Sequence, residues 1–184
     1  MAINLEKGQR QSIGAPKFTD GLGWDSNSSS TGEGFDLDAS IFLIGANGKI
    51  PSDAHFVYYN NLKSPDGSVI HTGDNLTGDG DGDDEKIQID LSKAGADINE
   101  ISFVVTIHHA DTRKQNFGQI RNSFIRILDE SNVELVKYEL DEDFSIETAV
   151  EFGRIYKRND EWKFEAVGLG MKGGLQDYLN KFNQ

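Results

Sequence analysis

The sequence has no cysteine and little positive charge. Without Cys, its 184 residues form no disulfide, offer no thiolate to a metal and supply no cysteine nucleophile. Only 18 Lys and Arg stand against 31 Asp and Glu, which gives a formal net charge of −13. Because affinity for phosphate backbones and anionic lipids comes from Lys and Arg, this balance argues against direct binding of nucleic acid or of an anionic bilayer.

Long apolar runs are also missing. No stretch approaches the roughly 20 apolar residues of a membrane span, so we expect no membrane insertion. The first residues, MAINLEKGQRQSIG, lack the apolar core of a signal peptide, which favours a cytoplasmic location. There is no P-loop, no GxGxxG after a strand and no GxSxG, so the sequence carries no common signature of a nucleotide-binding protein or a serine hydrolase.

The chain does contain many aromatic residues and many alternating apolar runs. Its 11 Phe, 5 Tyr and 2 Trp argue against disorder. Phe35–Gly45 and Lys86–Leu91 alternate apolar and polar residues, which is typical of half-buried strands. Ile101–His108 is almost continuously apolar and predicts a strand buried on both faces. The further strand candidates are Ala2–Lys7, His55–Tyr59, Ser123–Leu128, Val133–Leu140, Ala149–Lys157 and Trp162–Leu169.

Turn signals separate these runs, and helix is scarce. Gly174–Phe182 places apolar residues at helical spacing, and a short helical turn is expected near Thr112–Phe117. The turn signals are Asn47-Gly48, Asp66-Gly67, Ser131-Asn132 and Asn159-Asp160. We therefore predict a single domain over residues 1–184 of the mainly β class. About eight to ten strands would form a β-sandwich of two antiparallel sheets with a short C-terminal helix.

The negative charge is concentrated in one place. The window from Asp66 to Asp90 holds seven Asp and one Glu against one Lys, so it carries −7 of the total −13. Within it, Asp79, Asp81 and Asp83 alternate with glycines. Hard cations such as Ca²⁺ take 6–8 oxygen ligands, and the glycines let the backbone fold closely around one centre. A solvated acidic loop without an ion is the simpler alternative.

The triplet matches positions 1, 3 and 5 of an EF-hand loop, but the rest does not. Position 6 is Asp84 where glycine is required, position 12 is Asp90, and the flanks predict strands. We therefore infer a calcium loop on a β scaffold, in which Asp74 and Asn75 add oxygens and Glu85 serves as a bidentate ligand. Three further acids are Asp36 and Asp38 on one face of a predicted strand and Asp25 after a Gly-rich turn, Gly21–Trp24. From spacing alone, these three are ordinary exposed acids.

The same residues carry a family resemblance that covers essentially the whole chain. The sequence is similar to the tellurium-resistance TerD family, and within it to the TerD/TerE branch. The segments that carry the resemblance are Gly21–Asp25, Phe35–Ser40, Ser52-Asp53 with Phe56–Asn61, Ser64–Gly67, His71–Asn75, Gly80–Glu85, Arg113–Gln119, Trp162–Phe164 and Ala166–Gly168.

The resemblance implies a calcium-binding β-sandwich without enzymatic activity that acts in resistance to tellurite and other stresses. It implies two Ca²⁺ ions held by loops at one end. The implied ligands are Asp25, Asp36, Asp38, Asp74, Asn75, Asp79, Asp81, Asp83 and Glu85, with backbone carbonyls from Leu76 and its neighbours. The implied partners are other Ter-type proteins, among them an integral-membrane Ter protein that would hold the chain at the inner face of the membrane.

Histidines and basic residues give weaker signals. His108 and His109 are adjacent on a predicted strand, so they should point to opposite faces, one partly buried and one exposed, and should not share a metal. The spacing suggests no pair between a histidine and a carboxylate. Arg113, Lys114, Arg121 and Arg126 form the only basic concentration, which either balances nearby acids or contacts an acidic partner.

Three functions stay open on the sequence alone. The first is a calcium-dependent binding or scaffold module. The second is a metal-dependent hydrolase that acts on phosphate esters through two cations. The third is a structural protein in which calcium only stabilises the fold.

Overall fold

A computed structural model describes residues 3–25, 34–73, 82–139 and 146–183. Within these ranges the chain forms twelve strands, two α-helices and three short 3-10 helices, the last at Asp53–His55, Leu91–Lys93 and Phe117–Gln119. The strands are β1 (Ile3–Leu5), β2 (Arg10–Ser12), β3 (Lys17–Gly23), β4 (Leu37–Gly45), β5 (Phe56–Val57), β6 (Val69–His71), β7 (Glu85–Asp90), β8 (Ile98–Ile107), β9 (Phe124–Leu128), β10 (Glu134–Glu139), β11 (Ala149–Arg158) and β12 (Glu161–Met171). The α-helices are α1 (Ala110–Arg113) and α2 (Leu175–Phe182).

The strands form two six-stranded sheets. The first, sheet A, has the order β1-β10-β9-β3-β7-β6, and the second, sheet B, has the order β2-β12-β11-β8-β4-β5. One core contains buried residues of both sheets, such as Phe18 and Leu22 of β3 and Ile41 of β4. The predicted mainly β sandwich with a short C-terminal helix is confirmed. One edge pair departs from the antiparallel pattern, because β1 runs parallel to β10.

Sheet B is covered on both faces. Leu37 and Ile41 of β4 lie in the core between the sheets, whereas Phe42 and Ile44 lie in a second cluster with Tyr178 of α2. The prediction that β4 is half-buried was wrong, because α2 covers its outer face. The prediction that β8 is buried on both faces is confirmed. Phe103 and Val105 lie in the first cluster, Val104 lies in the second, and Ser102 and Thr106 on the same face as Val104 are also buried.

Three strands were not predicted, and β3 matters most for the site. The sequence indicated a Gly-rich turn at Gly21–Trp24, but Gly21 and Gly23 are part of β3. This strand pairs with β7 on one side and with β9 on the other. The two other unpredicted strands, β2 and β6, have three residues each and lie at sheet edges.

The predicted turns and helix are found at their expected places. Gly48, Gly67 and Asn132 have positive φ angles, as do Asn159 and Asp160, in agreement with the turn signals. The amphipathic segment at the C-terminus forms α2 over Leu175–Phe182. The predicted helical turn near residue 112 is α1, which begins two residues earlier than expected. Among the residues with described structure, no helix has the length and apolar character needed to traverse a bilayer.

Candidate calcium-binding end of the sandwich

Several strand ends meet at one end of the sandwich. There β3 and β6 end, while β4 and β7 begin. Two hydrogen bonds join the sheets at this point: the Ala39 amide donates to Oε2 of Glu85 at 2.8 Å, and the Trp24 indole donates to the Phe35 carbonyl at 3.3 Å. We call this region the acidic end, and its described acids are Asp25, Asp36, Asp38, Asp83, Asp84 and Glu85.

Glu85 is the buried centre of the acidic end. It is only 2% exposed, and Nε2 of His71 lies 3.6 Å from its Oε2. In the neutral imidazole this nitrogen carries the hydrogen, because Nδ1 accepts from the Gly73 amide at 3.2 Å. Burial raises the pKa of Glu85 to about 7, although the bonds from His71 and Ala39 lower it, and the nearby charge of Asp38 raises it further. A positive charge beside this carboxylate would reverse the effect of burial.

Asp36 and Asp38 flank a residue of the core. Leu37 points into the core between the sheets, and the two acids on either side of it are 6% and 8% exposed. They are therefore buried and not the exposed acids that spacing alone suggested. Nδ1 of His108 lies 3.1 Å from Oδ2 of Asp38. The expectation that no histidine pairs with a carboxylate was wrong twice, for His108 here and for His71 above.

The two adjacent histidines do not lie on opposite faces of a strand. β8 ends at Ile107, and His109 has a φ of 53°, in the left-handed region. The two rings therefore meet edge to face, with their centroids 4.1 Å apart. As predicted, His108 is partly buried and His109 is exposed. Both line a pocket of about 320 Å³ together with Asp38 and Asp111.

Asp83 and Asp84 attach the start of β7 to β9 and β3. Oδ1 of Asp83 accepts from Nε of Arg126 at 2.7 Å, and its side chain is 1% exposed. The Asp84 amide donates to the Leu22 carbonyl at 2.8 Å. Oδ2 of Asp84 accepts from the Trp24 amide at 2.9 Å. The hydrogen bond to Asp83 is the main cause of the raised pKa of Arg126, which stays charged.

Asp25 lies just beyond β3. Its amide donates to the Arg121 carbonyl at 3.2 Å, and its Oδ2 accepts from Nδ2 of Asn122 at 2.6 Å. Asn122 has a φ of 52°, so this loop holds a non-glycine residue in the left-handed region directly beside the acid.

The described residues make up only part of the predicted calcium site. Asp74, Asn75, Leu76, Asp79 and Asp81 lie outside the described residues, whereas Asp25, Asp36, Asp38, Asp83 and Glu85 lie within them. Within residues 3–25, 34–73, 82–139 and 146–183, no three His, Asp or Glu side chains come close enough together to hold a metal ion. The donors that are present are carboxylate oxygens at least partly withdrawn from water, a donor type that suits Ca²⁺. The ligand set and the ion count stay predictions.

His71 and Arg126 are functional candidates that sequence reasoning missed. The antiparallel pairing of β6 with β7 places His71 opposite Ile87, two residues from Glu85. A prediction of β6 would therefore have brought His71 to the acidic end. Arg126 contacts Asp83 across 43 positions of sequence, so no local pattern pointed to this pair. The sequence only grouped it with other basic residues.

Comparison with known proteins assigns the chain to a family. The TerD domain matches residues 1–182. General stress protein 16U of Bacillus subtilis (strain 168) is 52% identical over 181 residues, which cover 95% of this chain and 94% of that protein. Tellurium resistance protein TerD of Alcaligenes sp is 53% identical over 181 residues, with the same coverage of both chains.

A solved structure has the same fold. The crystal structure of a homologue of telluride resistance protein (TerD) from Streptomyces coelicolor A3(2) gives a TM-score of 0.74. It is 19% identical in sequence and covers 93% of this chain and 100% of that chain, so the likeness concerns the fold alone. The family match and the two relatives above half identity decide the assignment: the chain belongs to the TerD domain family of tellurium-resistance and stress-response proteins.

Proposed function

We propose that the chain is a calcium-binding, non-enzymatic module of the stress response, in which Ca²⁺ joins residues 74–85 to the start of β4. The observation that carries this proposal is the buried Glu85, whose oxygen bridges to the Ala39 amide of the other sheet. Its carboxylate is withdrawn from water, and the carboxylate of Asp38 lies nearby. Buried like charges are costly, and a divalent cation relieves that cost.

The anchoring of both flanks of residues 74–81 supports the same function. On one flank, the Thr72 amide donates to the Lys86 carbonyl at 3.0 Å, and on the other flank Asp84 bonds to Leu22 and Trp24. A binding loop with fixed ends loses less conformational entropy when it binds an ion than a loop with free ends. The bonded flanks therefore favour binding of an ion by carboxylates and carbonyls between them.

Calorimetry tests the proposal directly. Addition of Ca²⁺ to chain stripped with EDTA should give saturable heat and a higher melting temperature, because binding to the folded state alone stabilises it by about 2.7 kcal/mol at one hundred times Kd. The double substitution Asp79→Asn and Asp81→Asn should abolish both effects. Asp160→Asn is the matched control, because Asp160 lies in an exposed turn between β11 and β12. Absence of heat at millimolar Ca²⁺ would refute calcium binding.

The proposal extends to partners. We infer that the calcium-filled acidic end contacts other Ter-type proteins, through which the chain reaches the inner face of the membrane. This inference rests on the family resemblance described under the sequence analysis. A pull-down with a second Ter-type protein as bait should recover the chain in Ca²⁺ and lose it in EDTA. Equal recovery in both buffers would show that the contact is independent of calcium.

A further inference from the structure

Residues 82 and 83, which lead into β7, lie over the outer face of sheet A at two glycines of β3. Gly21 and Gly23 point to the outer face of β3, because Phe18 and Leu22 point inward. A Cβ atom at Gly21 would lie 2.5 Å from the carboxyl carbon of Asp83, and one at Gly23 would overlap the Phe124 ring. The two glycines therefore leave the space in which residues 82–83 lie against the sheet.

Arg126 holds Asp83 in that space. It faces outward from β9 and lies opposite Gly21 in the register of β3 with β9. Its Nε donates to Asp83 at 2.7 Å and its Nη1 donates to Glu134 at 3.1 Å. The guanidinium carbon also lies 5.6 Å from the centre of the Phe124 ring. A planar guanidinium held by two carboxylates has little freedom, so the position of Asp83 is well defined.

Asp83 and Glu85 have different surroundings. The charge of Asp83 is matched inside the chain by Arg126, and its side chain is 1% exposed. Glu85, two residues later, faces His71 and Asp38 at the junction of the two sheets. Asp83 is therefore paired with an arginine, whereas Glu85 lies beside a histidine and a second carboxylate, where a cation would be stabilised.

We propose that Arg126 is a positioning residue for the calcium site, and that Asp83 anchors residues 82–85 to sheet A and is not itself a calcium ligand. This inference rests on the proposed function. Because Glu85 follows Asp83 by two residues, the anchor holds Glu85 beside His71 and Asp38 before any ion binds. Groups that orient metal ligands typically change affinity by about 10- to 100-fold when they are removed.

The sign of the change in affinity distinguishes an anchor from a ligand. If Asp83 is an anchor, Arg126→Gln should weaken Ca²⁺ binding by about 10-fold or more, because residues 82–85 lose this attachment to sheet A. If Asp83 is a ligand for which Arg126 competes, the same substitution should tighten binding. Arg126→Lys should fall between Arg126→Gln and the unaltered chain, because lysine keeps the charge but cannot form the planar fork.

Arg154→Gln is the matched control. Arg154 on β11 also joins two carboxylates, with Nη2 at 2.8 Å from Glu165 and Nη1 at 3.5 Å from Glu100. It lies on sheet B, where the register pairs it with Ser102 and Glu165, so its loss should leave Ca²⁺ affinity unchanged. An equal loss of affinity in both variants would mean a general effect of charge and would overturn the proposal.

The measurements are Ca²⁺ affinity by calorimetry and the Trp24 backbone amide resonance of the ion-free chain. Because the Trp24 backbone amide donates to Oδ2 of Asp84, next to Asp83, Arg126→Gln should shift that resonance before any calcium is added, while Arg154→Gln should not. If the unaltered chain binds no Ca²⁺, the proposed function is refuted. If it binds Ca²⁺ and Arg126→Gln binds equally well or better, only the role of Arg126 is refuted.

A second substitution keeps the test valid if Arg126→Gln does not fold. Gly21→Ala leaves every charge in place but puts a methyl group where the Asp83 carboxylate lies, so it should also weaken Ca²⁺ binding. Gly14→Ala is its control, since a Cβ atom there has nothing within 4 Å. Unchanged affinity in Gly21→Ala would contradict the anchoring role of Asp83.

Discussion

Two regions of the molecule bury a glutamate, and they compensate its charge in different ways. On the helix-covered face, the outer face of sheet B under α2, Glu151 accepts from Ser102 at 2.7 Å and from Nζ of Lys181 at 3.1 Å. At the acidic end, Glu85 accepts from one backbone amide and has His71 at 3.6 Å. In the first region a lysine bonds to the carboxylate, whereas in the second the described residues place a histidine and no Lys or Arg beside it. The difference teaches that a buried acid indicates a binding site only where the chain itself leaves its charge uncompensated.

The helix-covered face should contribute stability and no calcium affinity. Tyr178 is fully buried there; its hydroxyl donates to the Leu169 carbonyl and accepts from the Glu151 amide. Tyr178→Ala should lower the free energy of unfolding by about 3–5 kcal/mol, as other large-to-small aromatic changes in cores do. Urea denaturation measures the loss, and calorimetry should give an unchanged Ca²⁺ affinity.

Tyr59→Ala is the control for that change. Tyr59 is 42% exposed, so its loss should cost less than about 1 kcal/mol. If Tyr178→Ala also weakens Ca²⁺ binding, the two regions are coupled through sheet B, and the comparison between them fails.

Replacing the buried glutamate by glutamine should lower the stability of the protein in one region and leave it unchanged or raise it in the other. Glu151→Gln removes the charge that Lys181 and Ser102 bind, so it should cost about 1–3 kcal/mol of stability. Glu85→Gln keeps an oxygen for the Ala39 amide but removes a buried negative charge near Asp38. In EDTA it should therefore leave stability unchanged or raise it. Denaturation in EDTA measures both variants; a loss for Glu85→Gln as large as that for Glu151→Gln would show that the acidic end is already compensated.

The sequence predicted most strands and the acidic motif from local patterns. Alternation predicted β4, β7 and β8, because burial of one or both faces imposes a pattern on neighbouring residues. The acidic motif was predicted to end directly before the strand Lys86–Leu91, and in the structure Glu85 is the first residue of that strand. Residues 74–81, which hold the triplet's first two acids, lie outside the described residues, so that half of the site stays a prediction.

What sequence reasoning missed depends on contacts between distant residues. The glycines of β3 looked like a turn because the groups for which they leave room, Asp83 at Gly21 and Phe124 and Gly82 at Gly23, lie far along the chain. The burial of Asp36 and Asp38 depends on neighbouring elements, and the outer face of β4 depends on α2. The contacts of His71 and Arg126 need the sheet register. None of these contacts leaves a periodic signal in the residues themselves.

Asp66 is a third acid to compare with Glu85, and its effect on stability is expected to be the smallest. Asp66 lies in the turn before β6, and it accepts hydrogen bonds from Ser64, Ser68 and the Gly95 amide. Burial raises its pKa, but these bonds outweigh burial and hold the pKa below its ordinary value. Hydrogen bonds from neutral groups of the chain thus compensate this acid, in contrast to Glu85, whose pKa is raised.

A lowered pKa in the folded state fixes the direction of the effect. The folded chain holds a proton on Asp66 less tightly than the unfolded chain, so the stabilisation is fully present above the ordinary pKa of an aspartate. It is lost as pH falls through the lower pKa of the folded state. Asp66→Asn should cost about 1 kcal/mol at neutral pH, and this cost should shrink as pH falls through the lowered pKa of the folded state. Urea denaturation from pH 2 to pH 7 measures the difference, with Asp53→Asn, an exposed acid, as the control. A cost that stays the same as the pH falls would mean that Asp66 stabilises the turn by shape and not by charge.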